Sequence, residues 1–259
     1  KQRGGNGSSI RDQLTAKGVT EFGVNAERAL SRPLQPKAKF TPVATEALAG
    51  LLEPGSTVAQ RLPGYEHREE QVAALREVCQ VFNEGGQLLV EAGTGVGKSL
   101  AYLLPSVHFA AANRRHVVVS TNTINLQDQL YGKDLPDLAR MLDVEFQTAL
   151  VKGRANYLCR RRWAALRRQP NVSLDELSTL VKILVWLPTS STGDVGELNL
   201  NEKQRIVWSR LHSTSESCLS RQCEHHRRHR CFVYRAREMA EAAHIIVTNH
   251  ALLLSDVVA

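Results

Sequence analysis

The feature that most restricts the fold of this 259-residue chain is a glycine-rich turn, Ala92-Gly-Thr-Gly-Val-Gly-Lys-Ser99. It lies between an apolar segment predicted to be a short buried strand, Gln87–Glu91, and a segment predicted to be helical from Lys98 to Ala112. In such a strand–turn–helix unit the backbone N–H groups of the turn surround phosphate oxygens, and the helix N-terminus adds a favourable dipole. The turn therefore predicts a site for the phosphates of a nucleotide.

Individual residues near this turn have distinct expected roles. Lys98 should reach the β- and γ-phosphates of ATP and act as the catalytic cation, and Ser99 should hold Mg²⁺. Arg68 and Gln71 are three residues apart on a predicted helix, Glu66–Phe82, so they share one face. An amide such as that of Gln71 can both donate to and accept from an adenine edge. The remaining predicted phosphate-binding residues are Gly93, Thr94, Gly95, Val96 and Gly97.

Helices and strands alternate along much of the chain. A strand over 116–120 precedes a helix that begins at Ile124, and near the end a helix over 233–243 precedes a strand over 244–248. This alternation predicts an α/β fold with a parallel sheet. Residues 1–60 combine a glycine- and serine-rich start with four prolines and one short helix, so they are interpreted as a flexible tail and linker.

Positive charge is concentrated in residues 152–237, which hold 17 basic and 7 acidic residues. The net charge of that segment exceeds the +7 of the whole chain, so the remainder is slightly acidic. Clustered cations release counterions from a polyanion, and we therefore predict a DNA-binding face that includes Arg227 and Arg228. A solvated surface is the alternative explanation for the same charges.

Four of the five cysteines lie in this basic segment, at Cys159, Cys218, Cys223 and Cys231. Four thiolates suit either an iron–sulfur cluster or tetrahedral zinc, and buried or free thiols are the remaining alternative. Three histidines between the last two cysteines keep zinc open as a hypothesis: His225, His226 and His229. Cys79 lies on the apolar face of the upstream helix and is interpreted as a core residue.

Five stretches together resemble the DinG branch of the XPD-like helicases of superfamily 2. They are Tyr65–Gln71, Glu91–Pro105, Val119–Leu130, Val151–Cys159 and Cys231–Leu254. The resemblance implies a P-loop, RecA-like parallel sheet domain that is interrupted by a mainly helical iron–sulfur insert. It also implies an ATP-dependent DNA helicase that unwinds DNA by moving 5′→3′ on single strands, with roles in DNA repair and replication.

The resemblance also assigns residues. Arg68 and Gln71 match the family's adenine-reading motif, and the four cysteines match the ligands of a [4Fe–4S] cluster. The segment that contacts the DNA backbone in the family matches Ser120, Thr121 and Asn122. The implied cofactors are ATP, Mg²⁺ and the [4Fe–4S] cluster.

The domain boundaries expected from this resemblance divide the chain into four parts. They are a tail and linker over 1–60, the first part of motor domain 1 over 61–151, the cluster insert over 152–232, and a return to motor domain 1 over 233–259. The family's Asp-Glu-Ala-His box should follow Asn249-His250, and the sequence ends first. We therefore expect an N-terminal fragment that by itself hydrolyses essentially no ATP.

The expected partners are single-stranded DNA and forked or displaced-strand duplexes, bound by a monomer in a bacterial-type cytoplasm at the nucleoid. No membrane is expected, because no apolar run approaches the ~18–20 residues of a membrane helix. Two other classes stay open. One is a non-enzymatic nucleic-acid-binding module with a structural zinc, and the other is an unrelated P-loop enzyme such as a nucleotide kinase. The second alternative explains neither the basic cysteine segment nor Ser120–Gln129.

Overall fold

A computed structural model describes residues 32–62, 64–93, 97–169 and 173–258. These residues form two compact units, which we name the sheet unit (32–152 and 238–258) and the insert unit (Gly153–Arg237). The strands are β1 Val117–Thr121, β2 Thr148–Leu150 and β3 Ile245–Asn249. The α-helices are α1 Thr45–Gly50, α2 Thr57–Arg61, α3 Glu69–Glu84, α4 Lys98–Asn113, α5 Ile124–Gln129, α6 Leu135–Met141, α7 Arg160–Leu166, α8 Leu174–Trp186, α9 Glu202–Ser209, α10 Glu224–Arg227, α11 Phe232–Ala242 and α12 His250–Val258.

The sheet consists of three parallel strands in the order β1–β3–β2. Val117 and Thr148 both align with Ile245, so the central strand is the last in sequence. Ile245 and Val247 are fully buried, because β3 pairs on both edges and packs into the core of the unit. Helices precede and follow these strands, which confirms the predicted α/β fold with a parallel sheet. The whole insert unit lies between β2 and β3 in the sequence.

The predicted strand over Gln87–Glu91 is wrong. The segment forms neither a strand nor a helix, and the Leu89 side chain is 98% exposed. An isolated extended segment leaves its backbone N–H and C=O groups to water and gains nothing from its apolar side chains. The sheet of the described residues contains only β1, β3 and β2, so this segment has no ladder to join.

Part of the segment interpreted as a flexible linker is packed into the fold. Leu48 and Leu52 are buried in the core of the sheet unit, as is Val58. Two asparagine side chains fasten the same segment. The Asn113 amide bonds both backbone groups of Thr41, and the Asn83 amide bonds both backbone groups of Val43. Because these contacts join residues far apart in the sequence, the hydrophobic pattern of so short a segment does not reveal them. They make residues 41–58 part of the folded unit.

The insert unit has a core of its own. It contains fully or nearly buried aromatic and aliphatic side chains, including Trp163, Ile183, Leu211 and Phe232. Helices α8 and α9 each begin with a reciprocal capping box, at Ser173 with Glu176 and at Asn201 with Gln204. Both helices therefore begin at a defined residue, and the unit is mainly helical.

A short extended segment that ends at Cys159 is held in place by backbone hydrogen bonds. The Leu158 N–H donates to the Gly193 carbonyl and the Cys159 N–H donates to the Leu211 carbonyl, both at 2.9 Å. The Ser213 N–H in turn donates to the Tyr157 carbonyl at 2.9 Å. The position of Cys159 is thus determined by the protein fold.

Candidate nucleotide and DNA site

The phosphate loop ends where α4 begins. Gly97 precedes the helix with a φ of +74°, a left-handed conformation that glycine adopts without strain, and Lys98 is the first helical residue. The Lys98 ammonium donates hydrogen bonds to the carbonyl oxygen of Ala92 at 2.9 Å and to that of Gly93. The ammonium is therefore held against the beginning of the loop. The predicted phosphate-binding residues Thr94, Gly95 and Val96 lie outside the described residues.

Gln71 contacts the end of this loop from α3. Its side chain is almost completely buried, and its amide nitrogen donates to the Gly97 carbonyl at 2.7 Å. A Cβ atom at position 97 would lie 2.0 Å from that nitrogen, so this close approach needs glycine. The amide oxygen of Gln71 is buried without a hydrogen-bond partner in the described part of the chain. Such a group costs about 1–3 kcal/mol, which a ligand with a suitable donor would remove.

Arg68 lies just before α3, three residues from Gln71. Its guanidinium is 2.7 Å from the Glu66 carboxylate, in a largely exposed ion pair. The structure thus brings Gln71, Gly97 and Lys98 together. Arg68, three residues before Gln71, lies at the surface.

Ser99 lies in the first turn of α4, and Tyr102 follows it on the same helix. Burial raises the pKa of Asp134, and the neighbouring polar side chains of Ser99 and Gln129 oppose that shift. Burial likewise raises the pKa of the Tyr102 phenol. The predicted Mg²⁺ residue is therefore the centre of a small, partly buried polar cluster.

The predicted DNA segment lies at the carboxyl end of β1, with Ser120 and Thr121 in the strand and Asn122 directly after it. The hydroxyl of the half-buried Ser120 lies 2.7 Å from Nδ1 of His250, which follows the neighbouring strand β3. Asn122 is exposed. The Thr121 side chain is buried, and its hydroxyl donates to the Thr123 carbonyl at 2.9 Å. Asn122 is thus accessible to a ligand and Ser120 partly so, whereas Thr121 supports the turn.

The surroundings of Cys231 and Cys218, two of the predicted ligand cysteines, shift the pKa values of their thiols in opposite directions. Burial raises the pKa of Cys231, with Cys159 and Cys218 adding to the shift and the N–H groups that follow Phe232 opposing it. Burial alone would also raise the pKa of Cys218. The Ser220 N–H, whose nitrogen is 3.4 Å from its sulfur, and the Arg154 guanidinium together hold that pKa below its usual value.

Cys159, Cys218 and Cys231 all belong to the insert unit, and the first two contribute to the raised pKa of the Cys231 thiol. Cys223 immediately precedes α10, and all four thiols are free and half-buried. Within the described ranges, no three His, Cys, Asp or Glu side chains are arranged closely enough to hold a metal ion. Cys79 lies in the core of the sheet unit, as predicted for a structural residue.

Many arginines of the insert unit take part in its fold. The side chains of Arg161 and Arg162 donate to the carbonyls of Ser217 and His212, and the Arg160 guanidinium lies 4.6 Å from the centre of the Phe232 ring. A second group is exposed and surrounds α10. We name it the arginine cluster: Arg221, Arg227, Arg228 and Arg230. Of the predicted DNA contacts in it, Arg227 is exposed and Arg228 forms a 2.9 Å ion pair with Glu224.

Sequence reasoning missed three residues of these sites. Tyr102 lies three residues after Ser99 on the same helix, and that spacing could have indicated it. His250 could have been found because residues that follow adjacent parallel strands meet at one edge of the sheet. Asp134 offered no such signal, since an acid before Leu135-Pro136 has the pattern of an ordinary helix start.

Comparison of the sequence with known proteins identifies helicases as its relatives. The DEAD/DEAH box helicase family profile matches residues 68–174. The chain is 35% identical over 209 residues to the "ATP-dependent DNA helicase YoaA" of Escherichia coli, which covers 79% of this chain and 31% of that protein. It is 37% identical over 217 residues to the "ATP-dependent helicase DinG" of Mycobacterium tuberculosis, a match that covers 76% of this chain and 32% of that protein. It is also 34% identical over 199 residues to the "3'-5' exonuclease DinG" of Bacillus subtilis, a match that covers 77% of this chain and 21% of that protein.

The chain therefore spans a third or less of the length of these curated relatives. None of the helices in the described residues is long and apolar enough to cross a membrane.

Proposed function

Because this chain belongs to the DEAD/DEAH box helicases, as a homologue of proteins named DinG and YoaA, we propose that it is part of an ATP-dependent DNA helicase of that type. The observation that carries the proposal is the contact of Gln71 with Gly97, directly before Lys98. It joins a base-reading amide to the phosphate loop in one rigid arrangement. The sheet unit is then the first part of a motor domain.

Nucleotide binding follows from the groups around the loop. The free amide oxygen of Gln71 accepts from the exocyclic amine of adenine, while its nitrogen keeps the Gly97 carbonyl. Lys98 exchanges its bonds to Ala92 and Gly93 for bonds to phosphate oxygens, because an anionic acceptor is stronger than a carbonyl. Ser99, in the first turn of α4, would hold Mg²⁺. That ion would neutralise charge that develops on the phosphates during hydrolysis.

DNA binding is proposed for two surfaces, each within one unit. In the sheet unit, the half-buried Ser120 and the exposed Asn122 lie at the carboxyl edge of the sheet, where open parallel sheets bind ligands. In the insert unit, the arginine cluster offers several exposed guanidinium groups to a phosphate backbone. We propose single-stranded DNA as the bound strand, with movement 5′→3′ along it.

We further propose that Cys159, Cys218, Cys223 and Cys231 hold a [4Fe–4S] cluster. All four thiols are free and within one unit, and the Ser220 N–H donates to the Cys218 sulfur, as is favourable for a thiolate ligand. When bound, the cluster would tie the loop between Ser213 and Arg230 to the folded part of the insert. The alternative, a zinc site with histidine ligands, is less well supported, because the His226 ring packs on Tyr234 with ring centres 3.9 Å apart.

The remaining parts of the proposal concern the intact protein. We propose the domain boundaries at residues 60, 151 and 232, and a monomer that acts in DNA repair and replication at the bacterial nucleoid. Its substrates would be forked or displaced-strand duplexes. These statements rest on the family and not on contacts within this chain.

The test of the proposed function is DNA-stimulated ATP hydrolysis by the intact protein and its Lys98→Ala variant. Loss of the ammonium should lower turnover by at least about 100-fold, since it removes charge stabilisation from the transition state. DNA binding should persist. Lys39→Ala, which removes an exposed ammonium from the same unit, is the matched control. Near wild-type turnover in Lys98→Ala would refute the assignment.

A further inference from the structure

The side chain of Ser120 is hydrogen-bonded to a residue that the proposed function does not use. The Ser120 hydroxyl lies 2.7 Å from Nδ1 of His250, and this bond is at the surface of the sheet unit. Ser120 is near the end of β1, and His250 directly follows β3. The pair therefore joins the carboxyl ends of two adjacent parallel strands, at the edge where open parallel sheets bind ligands.

The pair is more than an ordinary contact between neighbouring strands. In the register of β1 and β3, Ser120 lies opposite Thr248. Buried hydroxyl groups normally have a hydrogen-bond partner, yet the Thr248 hydroxyl has none among the residues that the structure describes. The Ser120 hydroxyl is bonded instead to the exposed His250. Its bond thus lies where a ligand can reach it.

The position of His250 is fixed by the start of α12. The side chain of the preceding Asn249 accepts a hydrogen bond from the Leu252 N–H at 2.8 Å and so caps this helix. Asn249 itself ends β3, the central strand, which pairs with both β1 and β2. The backbone that carries the imidazole therefore belongs to the sheet, although the residue is exposed. Groups carried by strands and helices are held more precisely than groups on loops.

The direction of the hydrogen bond decides what the pair can bind. If Nδ1 of His250 accepts, the Ser120 proton is used within the pair. If Nδ1 carries a proton and donates it to Ser120, the Ser120 proton is left for another acceptor. A phosphate oxygen of DNA only accepts, so a bound phosphate selects the second arrangement. An imidazole is neutral or positive, and it therefore does not repel a phosphate as a carboxylate would.

We infer that His250 is a positioning residue: its Nδ1–H donates to Ser120 and so directs the Ser120 proton to a phosphate oxygen of the bound DNA strand. This inference rests on the proposed function, which places the strand at this edge of the sheet. His250 then contributes to the DNA site from the end of β3, whereas Ser120 and Asn122 contribute from the end of β1.

The test measures which phosphates of a bound strand the intact protein contacts. The probe is a forked duplex whose junction fixes the register, and each phosphate of its single-stranded arm is replaced in turn by an uncharged methylphosphonate. Affinity is measured without ATP, so that the protein does not move along the strand. Ser120→Ala should weaken binding of the unmodified fork about 2–10-fold, as expected for one hydrogen bond. It should also remove the sensitivity to replacement of one particular phosphate.

Variants of His250 then test whether this residue acts through Ser120. His250→Leu has no donor, so it should weaken binding about 2–10-fold and remove the sensitivity to the same phosphate, while the other phosphates keep theirs. His250→Asn carries an amide nitrogen on Cγ, where histidine carries Nδ1, and should restore both. In a Ser120→Ala background, His250→Leu should cause no further change, because its effect passes through the hydroxyl.

His116→Leu is the matched control. His116 is exposed at the opposite end of β1, and its Nδ1 lies 2.7 Å from the Ala243 carbonyl oxygen. This variant removes a comparable imidazole from the same unit and should leave the phosphate pattern unchanged. A wild-type pattern in His250→Leu or in Ser120→Ala overturns the inference alone, as does a uniform loss of affinity at every phosphate. Failure of the wild type to bind the fork overturns the proposed function as well.

Discussion

The substitution Gly193→Ala tests how the insert unit holds one of its cysteines. Gly193 has a φ of +70°, and a Cβ atom there would lie 2.2 Å from the ring of Phe232. That ring is 1% exposed, so it cannot swing away into solvent. Phe232 follows Cys231 directly, and displacement of the ring would therefore move the thiol.

The expected cost has two parts. A left-handed conformation costs a residue with a Cβ atom about 1–2 kcal/mol. Overpacking of a filled core costs about 1–3 kcal/mol more. The sum of about 2–5 kcal/mol is a large share of the roughly 5–15 kcal/mol of a typical folded domain. For a chain of this size the midpoint of thermal unfolding should fall by about 2–4 °C per kcal/mol.

The chain offers a specific assay for this effect. All three tryptophans, Trp163, Trp186 and Trp208, lie in the insert unit, so their fluorescence follows that unit and not the sheet unit. The fluorescence midpoint in urea should fall in Gly193→Ala. Gly196→Ala is the matched control, because its φ is not positive and the nearest atom to its Cβ is 3.4 Å away. Equal midpoints for Gly193→Ala and wild type would refute the packing argument.

Charge, ligation and burial give three further predictions. We expect replacement of the arginine cluster by alanine to change how the association constant K for single-stranded DNA depends on salt. The slope of log K against log[salt] should become shallower by about 0.7 for each phosphate that is no longer bound. An unchanged slope in oligonucleotide titrations would exclude the cluster from the DNA path. Changing any one of the four predicted ligand cysteines to serine should abolish the iron and sulfide of anaerobically purified protein, whereas Cys79→Ser should retain both. A colourless wild-type protein with one zinc per chain would instead favour the histidine-containing site. Burial lowers the pKa of His108 in the sheet unit. Below the ordinary histidine pKa of about 6.5, the unfolded chain therefore binds a proton at this residue more readily than the folded chain does. The free energy of unfolding should fall as the pH drops through that range. Urea unfolding followed by circular dichroism at pH 7.5 and 5.5 should show a smaller pH dependence in His108→Leu, and an equal dependence would contradict this cause.

Much of the sheet unit could be predicted from the sequence because its signals are local. The turn before Lys98 carries its glycines within six residues, and the apolar spacing of α3 and α4 repeats over 16 residues each. β1 and β3 are rich in valine and isoleucine, which favour strands. The family resemblance added the roles of Gln71 and Ser120, since neither side chain by itself indicates a ligand.

Other features depended on residues far apart in the sequence. The segment at Leu89 has the composition of a strand, yet a strand exists only where a neighbour accepts and donates its backbone hydrogen bonds. Leu48 looked like part of a linker, because the partners that bury it lie in other elements of the sheet unit. The sequence places Thr121 in the same DNA-binding segment as Ser120 and Asn122, and only the turn of the chain after β1 shows that its hydroxyl is used internally.

The sequence by itself determined the class of fold, the phosphate loop and the set of candidate ligand cysteines, because each is written in the type and spacing of nearby residues. The tertiary structure alone decided which side chains meet. Gln71 and Gly97 are 26 positions apart, and Ser120 and His250 are 130 apart. Such pairs form because packed helices and parallel strands bring distant parts of the chain together within the sheet unit. That convergence depends on the packing of the whole unit, and no local pattern encodes it.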